Sequence, residues 1–168
     1  ITKKDLEKKL SHSSEGLAIR TMPNPKEKLT QKYKASNTAF FTTDAIIFLN
    51  DLGVKHLVVD LPSIDRTNDN GMLGNHHRYF EVKPPFKKTI TEFAFIPDSL
   101  DDGSYFMLIE IPAMQLDAAP SRPFLFNLCA FHRFVLIFCL YVRRLRNVLG
   151  MFSEHSLKLR FCLSTQIR

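Results

Sequence analysis

The stretch "TTDAIIFLNDLGVKHLVVDLP", Thr42–Pro62, joins a helix pattern to a strand pattern and decides the fold class. Thr43 is the predicted N-cap, Asp44 puts an acid in the first turn, and Gly53 marks the C-terminal stop. The apolar set of this helix is Ile46, Ile47 and Leu49. The run Val54–Leu61 is too continuously aliphatic for a solvent-exposed strand, which indicates a buried one. Helix, glycine turn and buried strand together predict an α/β unit.

The segments on either side of this unit add one helix and several strands. The upstream predictions are an amphipathic helix capped by Thr2 in residues 2–10 ("TKKDLEKKL"), a strand in residues 17–22 ("LAIRTM") and an irregular surface segment in residues 29–41. The downstream predictions are strands in residues 89–96 ("TITEFAFI") and 105–116 ("YFMLIEIPAMQL", broken by Pro112), then a turn and a short strand in residues 117–126 ("DAAPSRPFLF").

A carboxylate stands in the middle of the predicted strand "TITEFAFI". Period-two alternation places Glu92 on one face together with Ile90, Ala94 and Ile96. A carboxylate on an apolar face is costly to bury unless a cation holds it. That cation is either a lysine or a metal shared with His76 or His77, which follow the predicted buried strand by one polar loop.

Structural explanations exist for each of these polar residues. A histidine pair in a polar loop is more often solvated than metal-bound, and Glu92 could pair with Lys87 or Lys88. Aspartates in turns more often accept backbone hydrogen bonds than act as catalytic acids, which applies to Asp60, Asp65 and Asp117. Ser63 and Ser121 lack a base at triad spacing, so a serine hydrolase is disfavoured.

The charge of the chain is concentrated in its last quarter. The net charge is +6, but residues 127–168 hold seven basic residues and one acid, which leaves sixteen of each in residues 1–126. The absence of net charge in residues 1–126 argues against nucleic-acid binding. All three cysteines lie in residues 127–168, which disfavours a disulfide-stapled secreted domain. The apolar run Phe134–Val142 is far shorter than the roughly 20 residues that a membrane span needs.

Four blocks in this order, "GVKHLVVDLPSIDR", "GMLGNHHRYF", "TITEFAFIPDSLDDGSYFMLIEI" and "LDAAPSRPFLF", closely resemble the carboxy-terminal half of the metal-dependent cyclase family. This family includes bacterial kynurenine formamidases of tryptophan catabolism and isatin hydrolase. The resemblance covers residues 1–126. It implies a partial swivelling β/β/α domain, a divalent zinc or manganese ion, and a hydrolase of the arylformamidase type that acts on an amide-type bond of a small molecule.

The resemblance also implies roles for single residues. His76 and Glu92 match the positions of two metal ligands, and His77 becomes a candidate catalytic residue. The further ligands of the family lie in an upstream block of the form His, three residues, His, one residue, Asp, and this sequence has no such block. We therefore expect half a metal site and no activity from this chain alone; the alternative is a non-catalytic remnant or binding module.

Residues 127–168 depart from the family pattern. They are expected to form an unrelated basic, apolar tail that is poorly ordered or loosely packed, such as read-through past a splice site, rather than a basic amphipathic helix that binds membrane or calmodulin. The chain begins at Ile1 and shows no charged leader before an apolar run, so we expect a piece of a longer, cytoplasmic protein without a signal peptide. The complete protein is expected to be a homo-oligomer.

Overall fold

The computed structural model contains both helices and strands and describes residues 1–10, 13–34, 38–81 and 87–127 and the backbone of one strand near the carboxy terminus. In chain order the described elements are α1 (Lys3–Glu7), β1 (Gly16–Ile19), a 3₁₀ helix (Lys26–Leu29), α2 (Thr43–Asp51), β2 (His56–Val59), α3 (Gly74–Phe80), β3 (Thr89–Thr91), β4 (Ser104–Glu110), β5 (Arg122–Asn127) and β6 (Leu163–Ile167).

The strands form one mixed sheet in the order β3-β2-β1-β6-β4-β5. Strands β3, β2, β1 and β6 run parallel to one another, whereas β4 is antiparallel to both β6 and β5. The register pairs Leu17 with Leu57 and Ala18 with Val58, so alternate residues of β1 and β2 face opposite sides of the sheet. The prediction of an α/β fold is confirmed.

Each face of the sheet packs against a different apolar cluster. The larger cluster joins one face of β1 and β2 to the three helices; its members include Leu17, Ile19, Leu57 and Val59 from the strands and Leu6, Ala45, Ile46, Leu49 and Tyr79 from the helices. The smaller cluster on the other face consists of Ala18, Val58, Ile96 and Met107. Apolar residues cover both faces of β1 and β2, as is common for parallel strands, and the one polar residue of the two strands is the half-buried His56 at the start of β2.

The α2–β2 unit confirms the central prediction. Helix α2 spans Thr43–Asp51, and Leu57 and Val59 of β2 are fully buried. The helix N-cap is Thr42 and not Thr43, because Thr43 already has helical backbone geometry. The Thr42 hydroxyl donates to the carbonyl of Ile1 (3.3 Å) and accepts no capping hydrogen bond from the first turn of the helix.

Helix α1 begins as the sequence predicts. The Thr2 hydroxyl accepts a hydrogen bond from the Asp5 amide (3.3 Å), and the Asp5 carboxylate accepts one from the Thr2 amide (2.9 Å). This reciprocal pair is a capping box, which satisfies two amides at the helix start. The helix buries Leu6 in the larger apolar cluster.

Strand β3 is shorter than predicted. It ends at Thr91, and Phe93 adopts a left-handed backbone with φ 57°. The Phe93 amide donates to the carbonyl of Leu61 (2.8 Å), so the chain bends yet stays attached beyond the end of β2. The prediction that Glu92 lies in mid-strand is wrong, because a left-handed residue interrupts the extended backbone that alternation requires. Glu92 is the first residue after the strand.

Most of the predicted tail lies outside the described residues, which exclude residues 128–162 and 168. Asn127 ends β5, and Leu163–Ile167 pairs with β1 and β4, so these five residues are part of the sheet. That residues 127–168 are unrelated to the family stays a prediction. Within the described part of the chain, no helix has the length and apolar character needed to cross a bilayer.

A half-buried histidine in β2, His56, makes stability depend on pH. Burial lowers the pKa of His56, whose Nδ1 lies 3.0 Å from the Thr89 hydroxyl; the charge of Glu15 opposes the shift and that of Lys55 adds to it. The unfolded chain therefore binds the proton more tightly. We expect the free energy of unfolding to fall as the pH drops below about 6.5, the ordinary histidine value.

The variant His56→Gln tests this dependence, because glutamine can still bond to Thr89 but does not titrate. Urea unfolding of both proteins between pH 8 and pH 5 should show a shallower loss of stability in the variant. Equal slopes for the two proteins would contradict the assignment to His56.

Candidate functional site

His76 and Glu92 meet at the carboxyl end of strands β2 and β3. The Nε2 atom of His76 lies 3.5 Å from Oε1 of Glu92, and each side chain is 25% exposed. The two residues are sixteen positions apart in the sequence and lie on different elements, α3 and the segment after β3. The structure therefore brings together the two predicted ligands at a point that solvent reaches.

Helix α3 carries His76, and a buried amide fixes the start of that helix. The Asn75 side chain donates to the carbonyls of Phe41 (2.8 Å) and Ile64 (2.9 Å). These bonds tie the first turn of α3 to the loop after β2. The sequence interpretation placed the histidine pair in a loop; that is wrong, because residues 74–80 form a helix whose buried Tyr79 packs in the larger apolar cluster.

Glu92 is held by the same loop. Its Oε1 accepts a hydrogen bond from the backbone amide of Ile64 (2.8 Å). The lysine explanation for this carboxylate is not supported by the described contacts, because Lys88 instead donates to Asn50 Oδ1 (2.6 Å) and to the Tyr79 carbonyl (3.0 Å). A backbone donor and an imidazole therefore surround Glu92.

Asp65 is a site residue whose role the sequence did not reveal. Its Oδ2 lies 2.5 Å from His76 Nδ1, and its Oδ1 accepts from the Asn75 amide (2.6 Å). The turn interpretation explained the backbone bond but not the imidazole contact. The only signal in the sequence was an aspartate between a buried strand and a histidine, which is too common to single out.

The described geometry supplies two candidate ligand atoms, Nε2 of His76 and Oε1 of Glu92. Nδ1 and Nε2 point in different directions, so Asp65 at Nδ1 cannot bind an ion that Nε2 binds. Accordingly, no group of three histidine, cysteine, aspartate or glutamate side chains suited to a metal occurs among the described residues. Imidazole nitrogen and carboxylate oxygen are ligands that zinc and manganese accept. The pair fits part of a divalent metal site.

His77 lies one position further along α3 and is exposed. One residue turns an α-helix by about 100°, so the imidazole of His77 leaves the helix in a different direction from that of His76. Both histidines line a shallow cleft of about 310 Å³ with Leu73, Phe80 and Glu81. The structure thus places His77 beside the site without a described contact to Glu92.

The other polar candidates have structural partners. Asp60 pairs with Lys28 (2.8 Å), and Asp117 accepts from the amide of Ala118 (3.0 Å). The Ser63 hydroxyl accepts from the Asp65 amide (3.1 Å), and the Ser121 hydroxyl lies 3.2 Å from that of Thr91. None of these described contacts joins a serine to a histidine.

Comparisons with known proteins bear on the fold. No protein-family model matches the sequence, and no curated protein matches it. A solved structure described as a potential metal-dependent hydrolase with cyclase activity is similar, with a TM-score of 0.57 and 22% sequence identity. The match covers 74% of this chain and 57% of that chain. The chain therefore shares the fold of that protein and spans little more than half of its length.

Proposed function

We propose that this chain supplies two ligands, His76 and Glu92, to the divalent metal site of a hydrolase that acts on an amide-type bond of a small molecule. The observation that carries the proposal is the 3.5 Å approach of His76 Nε2 to Glu92 Oε1 at a solvent-reached point beyond the strand ends. The similar solved structure supports a metal-dependent hydrolase, and the resemblance of the sequence favours the arylformamidase type within a swivelling β/β/α domain.

The donor chemistry of the two residues fits a zinc or manganese ion. A carboxylate on Nδ1 of a histidine is the usual outer partner of a metal-bound imidazole. Oε1 of Glu92 accepts a hydrogen bond from the Ile64 amide, and the lone pairs of a carboxylate leave room for a further partner such as a metal ion. When bound, the ion would supply a Lewis acid that makes water nucleophilic near neutral pH.

The residues of this chain would hold the metal ion and supply a proton to the leaving nitrogen of the substrate. Hydrolysis adds the oxygen of water to the amide carbonyl carbon and breaks the carbon–nitrogen bond, and the leaving nitrogen takes up a proton. His77 is the proposed carrier of that proton, because it is exposed and shares a cleft with His76. The remaining ligands would come from the His-x3-His-x-Asp block that the resemblance implies and this sequence lacks.

A metal titration tests the proposed ligands. Adding Mn²⁺ to the 168-residue chain should broaden the NMR signals of His76 and Glu92 most strongly, with weak affinity because two protein ligands are fewer than the usual three. His76→Ala and Glu92→Ala should each lower the affinity by more than the roughly 10–100-fold that loss of an outer-shell partner causes. His77→Ala is the matched control and should leave the affinity unchanged.

An activity measurement separates the proposal from a binding module. The chain with zinc or manganese should not hydrolyse N-formylkynurenine, whereas joining it to a segment that carries the His-x3-His-x-Asp block should restore tight binding and turnover. Metal-dependent turnover by the chain alone would contradict the half-site proposal. Tight binding without turnover in the joined protein would favour the binding module.

A further inference from the structure

Two consecutive residues in the loop after β2 hold both proposed ligands. The backbone amide of Ile64 donates to Glu92 Oε1 (2.8 Å), and Oδ2 of Asp65 lies 2.5 Å from His76 Nδ1. We propose that this Ile64–Asp65 turn positions the ligand pair and that Asp65 is a positioning residue that selects the imidazole tautomer. The inference rests on the proposed metal-ligand function of His76 and Glu92.

Asp65 fixes which ring nitrogen carries the proton. Its carboxylate is buried at 5% exposure, and an ionised carboxylate can only accept hydrogen bonds. Oδ1 accepts from the backbone amide of Asn75, and Oδ2 lies 2.5 Å from His76 Nδ1, so a carboxylate that can only accept requires Nδ1 to be the donor. A neutral imidazole with its proton on Nδ1 presents a bare lone pair at Nε2, the atom that faces Glu92.

Packing and hydrogen bonds hold the Ile64–Asp65 turn in place, as a positioning element requires. Ile64 is fully buried in the larger apolar cluster. Its carbonyl accepts hydrogen bonds from the Phe41 amide (3.1 Å) and from the Asn75 side chain (2.9 Å). The buried side chain and the bonded carbonyl thus hold Ile64 in place beside Glu92. A rigid support of this kind keeps ligands in place when no ion holds them.

The tautomer of His76 provides the test, because it can be measured without any metal. In the unaltered chain, ¹⁵N NMR of the imidazole should show the proton on Nδ1. Asp65→Asn leaves one acceptor oxygen where two are used, so one of the two contacts must be lost. In Asp65→Asn and Asp65→Ala we expect the proton to shift towards Nε2 and the Mn²⁺ affinity of the chain to fall by about 10-fold or more.

Asp69→Asn is the matched control. Asp65 accepts from the backbone amides of Asn75 (2.6 Å) and His76 (3.4 Å), and Asp69 likewise accepts from two backbone amides just before α3, those of Gly71 (2.9 Å) and Leu73 (2.7 Å). This variant should keep both the tautomer and the Mn²⁺ affinity. Amide spectra of all variants report whether each one folds. If Asp65→Ala does not fold, Asp65→Asn remains as the test, because it retains one acceptor oxygen.

The outcomes separate the two proposals. Unchanged protonation of Nδ1 in folded Asp65→Asn, or an Nδ1 without a proton in the unaltered chain, would overturn the positioning role. Loss of Mn²⁺ affinity in the Asp69 control to the same extent as in the Asp65 variants would overturn it as well. Absence of Mn²⁺ binding by the unaltered chain would instead overturn the metal site, whatever the tautomer.

Discussion

Replacing Asp60 by alanine is expected to lower the free energy of unfolding by about 3–5 kcal/mol, because it leaves the largely buried ammonium of Lys28 without a counter-charge. Lys28 and Asp60 approach to 2.8 Å, with side chains that are 13% and 2% exposed. The Asp60 carboxylate also accepts hydrogen bonds from the Thr21 amide (2.9 Å) and from the Thr21 hydroxyl (3.0 Å). The substitution therefore removes the acceptor for three donors at once.

Urea unfolding measures this loss. The control is Glu15→Ala, which removes one partner of a more exposed ion pair. Glu15 forms an ion pair with Lys55, and both side chains are more exposed than those of Asp60 and Lys28, so its removal should cost at most about 1 kcal/mol. The double variant Asp60→Leu with Lys28→Met should recover part of the loss, because it leaves no unpaired charge. Equal costs for Asp60→Ala and Glu15→Ala would contradict the prediction.

The second large effect is expected at the end of β1, where Arg20 is fully buried. Its Nη1 donates to the carbonyls of Pro97 (2.5 Å) and Leu100 (3.1 Å), and its Nη2 to Asp102 (3.4 Å). Arg20→Met keeps most of the volume but leaves two carbonyls without this donor. At about 1–3 kcal/mol for each unsatisfied group, we expect a loss of roughly 2–5 kcal/mol.

Thermal unfolding of matched variants would isolate the role of the guanidinium. Arg20→Lys should recover little, because one ammonium cannot reproduce the planar fork that reaches two carbonyls and a carboxylate. Arg78→Ala removes an arginine that is 52% exposed and pairs with Glu81 (3.2 Å), so its cost should stay near zero. A loss below about 1 kcal/mol for Arg20→Met would contradict this account.

The sequence sufficed for those parts of the fold that depend on neighbouring residues. Helix α2 and strand β2 could be predicted because apolar spacing, an early acid and a terminal glycine all act within one turn or one strand. The capping box of Thr2 and Asp5 was equally local. Pairing of the candidate ligands followed from the resemblance, since the local pattern alone favoured a lysine partner for Glu92.

The sequence was insufficient where distant contacts decide the conformation. Nothing in "TITEFAFI" indicates that Phe93 takes a left-handed backbone, because that geometry depends on its hydrogen bond to Leu61. Helix α3 was missed because the side chain that holds its first turn, Asp65, lies ten residues upstream of Asn75. The same distance hid the role of Asp65 at the imidazole of His76.

The bend at Phe93, directly after β3 and Glu92, restricts where this chain can gain or lose residues during evolution. Because β3 is pinned to β2 residue by residue and Glu92 follows it directly, one residue inserted between Thr89 and Glu92 would turn the carboxylate to the other side of the sheet. The stretch 66–68 is exposed and lies outside that register, so it can lengthen at little cost. Insertions and deletions in related chains should accordingly collect before α3 and be missing between β3 and Glu92.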